Sequence, residues 1–189
     1  TAVGGWKLFA RAIASSFLFL VGVSLLLAHA RAVRWRPMLW RLGMVAGAAS
    51  AISLVTWFAV PHGFIFFGIL HQIALASLLG LAFLRLPALV TLAAAALVVA
   101  APHFLRSPAF DHPALWWLGL APMNPRSNDY VPVFPWFGAV LCGIAAAKVA
   151  ATRGGLERIA SLPTPAWQRP LVFLGRHSLA FYLIHQPVL

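Results

Sequence analysis

Residues 64–84 read FIFFGILHQIALASLLGLAFL, and this stretch decides the class of fold. It is long enough to cross the hydrocarbon core of a bilayer, which takes about 20 residues of α-helix. A histidine and a glutamine nevertheless stand side by side within it, at His71 and Gln72. The stretch therefore predicts a membrane helix that carries hydrogen-bonding side chains into an apolar medium.

The composition of the whole chain also indicates a membrane protein. Of its 189 residues, 62% are hydrophobic and 9% are charged, whereas soluble domains are about half apolar and about a quarter charged. Such a chain cannot cover itself with a polar surface, so lipid must be its solvent. Its apolar runs match the length of α-helix that crosses a bilayer, about 20 residues, so we predict an all-α, polytopic transmembrane helix bundle.

Six segments are apolar enough for membrane helices, and we expect them to form a single transmembrane domain over residues 1–189. The chain begins without a methionine and stops inside its last apolar run, so we also expect further helices beyond both ends. The six predicted helices cover residues 6–28, 38–60, 64–84, 87–104, 133–151 and 170–189.

Basic residues predict how the helices are oriented. The net charge is +11, and the loops on one side of the predicted bundle carry nine Lys and Arg against two on the other. The positive-inside rule then places the loops after the first, third and fifth helices in the cytoplasm, in an expected bacterial inner membrane. Because these bases lie between apolar blocks, we expect no nucleic-acid partner. The nine are Arg31, Arg34, Arg36, Arg41, Arg85, Lys148, Arg153, Arg158 and Arg169.

The loop between the fourth and fifth helices, residues 105–132, is the one long loop on the outer side. Its centre, ALWWLGL at residues 114–120, is apolar and aromatic, which is typical of the membrane interface. Long loops in compact proteins are more often functional than merely connecting. We therefore expect this loop to contribute to a site.

Polar residues converge on the outer half of the predicted bundle. From the helical rise, His71 and His185 both lie within roughly 10 Å of the outer surface, and each precedes a glutamine, Gln72 and Gln186. An ionisable group inside the bilayer indicates a functional site by default, but a histidine can also simply bond a neighbouring helix. Both interpretations stay open for each histidine.

Among four more polar residues, Asp129 and Arg176 have two interpretations each. Asp129 is either a site carboxylate or a cap on the fifth helix, and its neighbour Asn128 is a candidate hydrogen-bond donor. Arg176, next to His177, either contacts a substrate phosphate or forms a structural pair. No HExxH or CxxC motif occurs, so we expect no metal site. A phosphate-binding lysine loop is absent too. Histidine-based acid–base chemistry in a membrane cavity is the chemistry that these residues favour.

Three stretches carry a resemblance to a known family: FIFFGILHQIALASLLG at 64–80, NDYVPVFPWFGAVLCGIAAAK at 128–148 and LGRHSLAFYLIHQPVL at 174–189. They resemble the catalytic domain of heparan-alpha-glucosaminide N-acetyltransferase and its bacterial relatives, within a wider superfamily of membrane acyltransferases. The resemblance spans nearly the whole chain. It implies a multi-helix enzyme that carries an acetyl group from cytosolic acetyl-CoA to a sugar on the far side of the membrane.

The resemblance also implies a catalytic segment that has no match in this chain. Relatives carry an Asp-x-x-Arg-Gly segment and a functional histidine on a preceding helix, which none of these residues matches. In this chain the expected catalytic helpers are His71, Asp129 and His185, and the expected substrate-binding residues are Gln72, Asn128, Arg176, His177 and Gln186. The implied partners are acetyl-CoA as a cosubstrate, a sugar or glycan acceptor and the lipid bilayer. No bound cofactor is expected, and a homo-oligomer is possible.

Two other functions fit the same residues. A transporter or channel for a small anion or sugar would line its path with these polar groups. A non-catalytic membrane partner would use them only to hold helices together. A transporter more often shows repeated halves with interrupted helices, and no such repeat is visible in the sequence.

Overall fold

The computed structural model describes residues 2–29 and 32–155, and all regular structure in these residues is helical. The chain forms two compact units, residues 1–149 and 150–189, and the first contains nearly all of the described residues. Short 3₁₀ turns occur between the helices and in the long loop. The α-helices are α1 (Ala2–His29), α2 (Trp35–Ala59), α3 (Ile69–Gly80), α4 (Ala88–Leu105) and α5 (Val133–Thr152).

Four of these helices are long and apolar enough to span a bilayer, so the protein is an integral, multi-pass membrane protein. The spans are Leu8–His29, Trp35–Ala59, Ala88–Leu105 and Val133–Thr152. They agree with four of the predicted helices to within a few residues. The sixth predicted helix, at residues 170–189, lies outside the described residues.

The third predicted helix is wrong in its extent. It was expected over residues 64–84, whereas α3 covers Ile69–Gly80 and is extended by a 3₁₀ turn at Leu81–Phe83. At 1.5 Å per residue, the twelve residues of α3 reach only about 18 Å. The preceding segment is not helical because its carbonyls bond the long loop: Gly63 accepts from the N–H of Asn128, and Phe67 from that of Val131. His71 therefore lies in the first turn of its helix rather than two turns below the surface.

The core of the first unit is the crossing of α1 and α5, which meet through glycines. A Cβ atom on Gly22 of α1 would overlap the carbonyl of Val140, and one on Gly143 of α5 would overlap the carbonyl of Phe19. This approach follows from the packing of membrane helices, which relies on small residues because lipid gives no hydrophobic drive for association. The side chains fully buried in this core include Leu18, Leu25, Val140, Leu141 and Ile144.

Helix α2 lies at the edge of the unit. It packs against α3, while most of its surface is exposed and apolar, as suits contact with lipid. Gly43 and Gly47 on α2 face open space, with no atom within 4 Å of the position of a Cβ. The exposed large apolar side chains of α2 are Trp35, Leu39, Trp40, Met44, Leu54, Val55, Trp57 and Phe58.

Two contacts define the opposite ends of this unit. Lys148 of α5 donates to the carbonyls of Phe83 and Leu86 and to the hydroxyl of Thr91, so it ties α5 to the α3–α4 turn. We call this the basic end, because it also holds the start of α2 with Arg36 and Arg41. At the opposite end, which we call the loop end, residues 60–68 contact the α4–α5 loop. Lys148 lies within α5, as the helix predicted over residues 133–151 has it, although it was also counted among the loop bases.

Candidate functional site

His71 lies at the loop end in the first turn of α3, half-buried and with a partner on each ring nitrogen. Its Nδ1 accepts a hydrogen bond from the backbone N–H of Gly68 (3.3 Å). Its Nε2 lies 3.2 Å from the hydroxyl oxygen of Ser53 on α2. The bond to Gly68 is one half of a capping box, in which a side chain at the third helical position satisfies the N-cap amide.

These partners fix which nitrogen of His71 carries the proton. An N–H donor faces Nδ1, so Nδ1 must hold a lone pair and Nε2 the hydrogen. The Ser53 hydroxyl agrees with this tautomer, because it donates its own hydrogen to the carbonyl of Ile65 at 2.7 Å and so accepts from Nε2. His71 is thus a neutral imidazole that offers an N–H on the side of α2.

Asp129 reaches the same helical turn from the α4–α5 loop. Its Oδ2 accepts a hydrogen bond from the backbone N–H of Ile69 at 2.9 Å. Gly68 provides the space, because a Cβ atom there would overlap the Asp129 carboxylate. A carboxylate at a helix N-terminus is favoured by the helix dipole and by the unpaired amides of the first turn. Asp129 therefore caps α3, and not the fifth helix as one of the two sequence interpretations had it.

Two amide side chains flank this turn in different ways. Gln72 is completely buried, and neither its Nε2 nor its Oε1 has a hydrogen-bond partner within the described ranges. A buried amide without partners is costly, at about 1–3 kcal/mol per group. Asn128 is exposed on the loop, with its side chain lying against the Cα of Gly63.

Aromatic side chains form one wall beside the turn. Phe67 lies 5.7 Å from the ring of His71 and 6.4 Å from that of Trp117. Behind it, the Tyr130 hydroxyl donates to the carbonyl of Trp116 at 2.6 Å. Burial raises the pKa of Tyr130 to about 12, against a smaller opposite effect of Arg106. The aromatic loop predicted to be functional thus packs directly against the segment that leads into α3.

The predicted site residues divide into two groups. The structure brings His71 and Asp129 together at the start of α3, with Gln72 in the same turn and Asn128 in the adjoining loop segment. We call Ser53, His71 and Asp129 the α3 cap cluster. The remaining four candidates, Arg176, His177, His185 and Gln186, lie outside the described residues, so their roles stay predictions.

Ser53 was missed from the sequence. It is one of two hydroxyl residues near the loop end of α2, and its neighbour Thr56 accepts from the backbone N–H of Ile65. Their spacing of three residues places both on one face of α2. That spacing marks Ser53 and Thr56 as candidates, but only the packing of α2 on α3 shows that Ser53 reaches His71.

The α3 cap cluster is suited to hydrogen bonding rather than to metal binding. In the described part of the chain, no group of three or more His, Cys, Asp or Glu side chains lies close enough to hold a metal ion. The cluster contains one imidazole N–H, one hydroxyl and one carboxylate beside the long loop, and each already has a hydrogen-bond partner in the protein. Such groups can position and polarise an uncharged substrate.

Comparison with known proteins gives one finding. The model of the family described as "Heparan-alpha-glucosaminide N-acetyltransferase, catalytic" matches residues 1–187. No curated protein matches the chain, and no solved structure matches it either.

Proposed function

Because the chain belongs to the family of heparan-alpha-glucosaminide N-acetyltransferase catalytic domains, we propose that it transfers an acetyl group across a membrane. The donor is cytoplasmic acetyl-CoA, and the acceptor is an amine or hydroxyl of an extracytoplasmic sugar or glycan. The enzyme is an integral membrane acetyltransferase with no bound cofactor of its own.

The reaction itself is a simple acyl transfer. The acceptor nitrogen or oxygen attacks the thioester carbon, a new C–N or C–O bond forms, and the C–S bond breaks. The acceptor loses one proton, and the sulfur of CoA gains one to leave as a thiol. A negative charge builds up on the carbonyl oxygen on the way, so a fixed hydrogen-bond donor near that oxygen speeds the reaction.

His71 is the described residue best suited to be that donor. Its Nε2 carries the hydrogen, which the Ser53 hydroxyl accepts in this structure and which a substrate oxygen would take over. Acting as a base would instead require Nδ1 to give up the N–H of Gly68, a bond that caps α3. Each role costs His71 one hydrogen bond, and we propose the ligand role because it leaves the helix cap intact. The base is then to be sought in His185 or in the upstream histidine that the family resemblance implies.

Asp129 has a supporting role in this proposal. By capping α3 from the α4–α5 loop, it holds the long loop against the helix that carries His71. A sugar amine that approaches from the outer side would meet this loop first. To Asn128, which precedes Asp129 and is exposed, the proposal assigns a hydrogen bond to a sugar hydroxyl.

The orientation follows from charge. The basic end holds Arg36, Arg41, Arg85 and Lys148, whereas both carboxylates of the described residues, Asp111 and Asp129, lie in the α4–α5 loop. By the positive-inside rule the basic end faces the cytoplasm, which is the side of acetyl-CoA. The α3 cap cluster then faces outward. Its position at the end of the unit opposite Arg36, Arg41, Arg85 and Lys148 is the observation that carries the proposal.

The test uses the full-length protein in sealed vesicles of known orientation. Acetyl-CoA with a labelled acetyl group is supplied on the basic side, and glucosamine is trapped on the other. We expect label on the trapped sugar, and none when the vesicles lack the protein. If no label reaches any amine or hydroxyl acceptor while sugar or anion flux is seen, the protein is a transporter and the proposal fails.

A further inference from the structure

We propose that the start of α2 binds an anionic phospholipid from the leaflet on the basic side, with Arg36 and Arg41 holding the lipid phosphate across Trp40. The partner is thus a lipid of the surrounding membrane and not a substrate. The inference is independent of the proposed function, because it uses only the exposure, depth and charge of α2.

Arg36, Trp40 and Arg41 form one exposed patch, which we call the α2 patch. Of the 25 residues of α2, only Met38 and Ala49 are buried. At about 100° per residue, Trp40 projects from the side of the helix opposite Met38 and lies between the two arginines. All three patch residues are exposed, and Trp40 exposes 72% of its surface. The patch therefore faces the medium around the protein.

The α2 patch lies at the depth of the lipid headgroups. The 25 residues of α2 measure about 37 Å, whereas the hydrocarbon core of a bilayer is about 30 Å thick. The helix is therefore longer than the core, and its first turns reach the headgroup layer at the basic end. Trp35 and Trp40 are both exposed there, and exposed tryptophans collect at the level of the headgroups.

The charge of the patch is complementary to an anionic lipid. The carboxylates of the described residues, Asp111 and Asp129, both lie in the α4–α5 loop, so neither of them neutralises the α2 patch. A guanidinium binds phosphate oxygens through two parallel hydrogen bonds. Basic residues beside a membrane span also attract lipids of net negative charge. A lipid such as phosphatidylglycerol therefore fits the patch better than the neutral phosphatidylcholine.

The apolar surface beside the patch distinguishes a phospholipid from a soluble phosphate compound. Leu39 and Met44 are exposed on either side of Trp40 and continue the apolar face of α2 toward the loop end. Acyl chains can cover this surface while the headgroup contacts the arginines. A soluble anion would contact the arginines alone and leave the apolar part of the face uncovered.

Three variants of the full-length protein test this proposal. The double variant Arg36→Gln with Arg41→Gln removes the charge of the patch, and the double variant Arg36→Lys with Arg41→Lys keeps it. Arg126→Gln is the control, because Arg126 is an exposed arginine of the α4–α5 loop, away from the patch. The melting temperature of each protein in detergent is recorded first. If the double glutamine variant does not fold, the two single glutamine variants replace it.

Binding of dioleoylphosphatidylglycerol and of dioleoylphosphatidylcholine to each protein is then measured by native mass spectrometry. We expect the wild type to bind phosphatidylglycerol more tightly than phosphatidylcholine. Each Arg→Gln change should raise the Kd for phosphatidylglycerol about 5-fold, the factor equivalent to about 1 kcal/mol, and the double change about 25-fold. The double lysine variant should keep most of the affinity, and Arg126→Gln should keep all of it.

Three results would overturn the proposal. Equal affinity of the wild type for the two lipids would mean that the protein has no site for an anionic lipid. Equal effects of Arg126→Gln and of a single patch change would mean that only the net charge of the protein matters. If acetyl-CoA competes with phosphatidylglycerol for the wild type and loses affinity in the double glutamine variant, the patch binds the soluble phosphate compound instead.

Discussion

The carboxylate of Asp129 accepts a hydrogen bond from the backbone N–H of Ile69 at 2.9 Å, and so joins the α4–α5 loop to the first turn of α3. The two residues are sixty positions apart in the chain. This bond places the long aromatic loop beside His71, and the position of the loop-end site depends on it.

Removing this cap should destabilise the protein. Loss of an N-cap carboxylate costs about 1 kcal/mol, so Asp129→Ala should lower the free energy of unfolding by about that amount. Asp129→Asn keeps an oxygen that can accept the bond and should cost less. Both are measured by thermal or denaturant unfolding in detergent micelles. Equal stability of all three proteins would mean that the bond to Ile69 contributes nothing.

Gly68 should not tolerate even a methyl group. A Cβ atom there would overlap the Asp129 carboxylate, so Gly68→Ala should displace Asp129 from Ile69. The rate of acetyl transfer should then fall at least as far as it does in Asp129→Ala. Gly47→Ala is the matched control, because nothing lies within 4 Å of the added atom. The transfer rates of Gly68→Ala, Asp129→Ala and Gly47→Ala, each normalised to the amount of folded protein, test this prediction. Wild-type activity in Gly68→Ala would show that the carboxylate can move without consequence.

Lys148 should stabilise the basic end of the bundle. Its ammonium group donates to the carbonyls of Phe83 and Leu86 and to the hydroxyl of Thr91. Hydrogen bonds to charged groups contribute about 1.5–3 kcal/mol, so Lys148→Met should lower the unfolding free energy by about that much. Arg85→Met, at the neighbouring exposed turn position, is the control. Hydrogen exchange should rise at residues 81–87 in the Lys148 variant alone.

The raised pKa of Tyr130 predicts that the protein loses stability at alkaline pH. Burial raises its pKa from 10.0 to about 12, so the folded state favours the neutral phenol. Below about pH 10 both states are neutral, and the contribution of Tyr130 to stability is constant. Between about pH 10 and 12 the unfolded state ionises first, and the melting temperature should fall.

The variant Tyr130→Phe isolates this contribution. It removes the ionisable group together with the hydrogen bond to Trp116. It should melt lower than the wild type at neutral pH, and the gap should narrow as the pH rises from 10 to 12. A constant gap across this range would show that Tyr130 has the same pKa in the folded and unfolded states.

The sequence predicted the long helices well because their physical cause is local. A run of apolar residues long enough for the bilayer specifies a helix by itself, and four of the predicted spans were confirmed. The third was wrong in its extent because the segment leading into α3 bonds to the α4–α5 loop, far along the chain. Hydropathy does not show that the carbonyls of Gly63 and Phe67 accept hydrogen bonds from the backbone N–H groups of Asn128 and Val131.

The site was only partly predictable for a similar reason. The sequence picked out His71 and Asp129, because charged or ionisable groups are rare in such a chain. It did not pick out Ser53, because a serine in an apolar helix usually bonds its own helix, as Ser16 and Ser24 do here with Ala12 and Leu20. Only the packing of α2 on α3 turns Ser53 toward His71.

The most direct test of the account compares His71→Ala, His71→Gln and His103→Ala in the sealed-vesicle assay. His103 is an exposed histidine at the end of α4 and serves as the control. We predict that His71→Ala slows acetyl transfer about 10²-fold, as for a lost oxyanion donor. His71→Gln, which keeps an N–H donor, should recover part of the rate, and His103→Ala should leave it unchanged. Equal rates in wild type and His71→Ala would contradict a role for His71, and no recovery with His71→Gln would contradict its role as a donor.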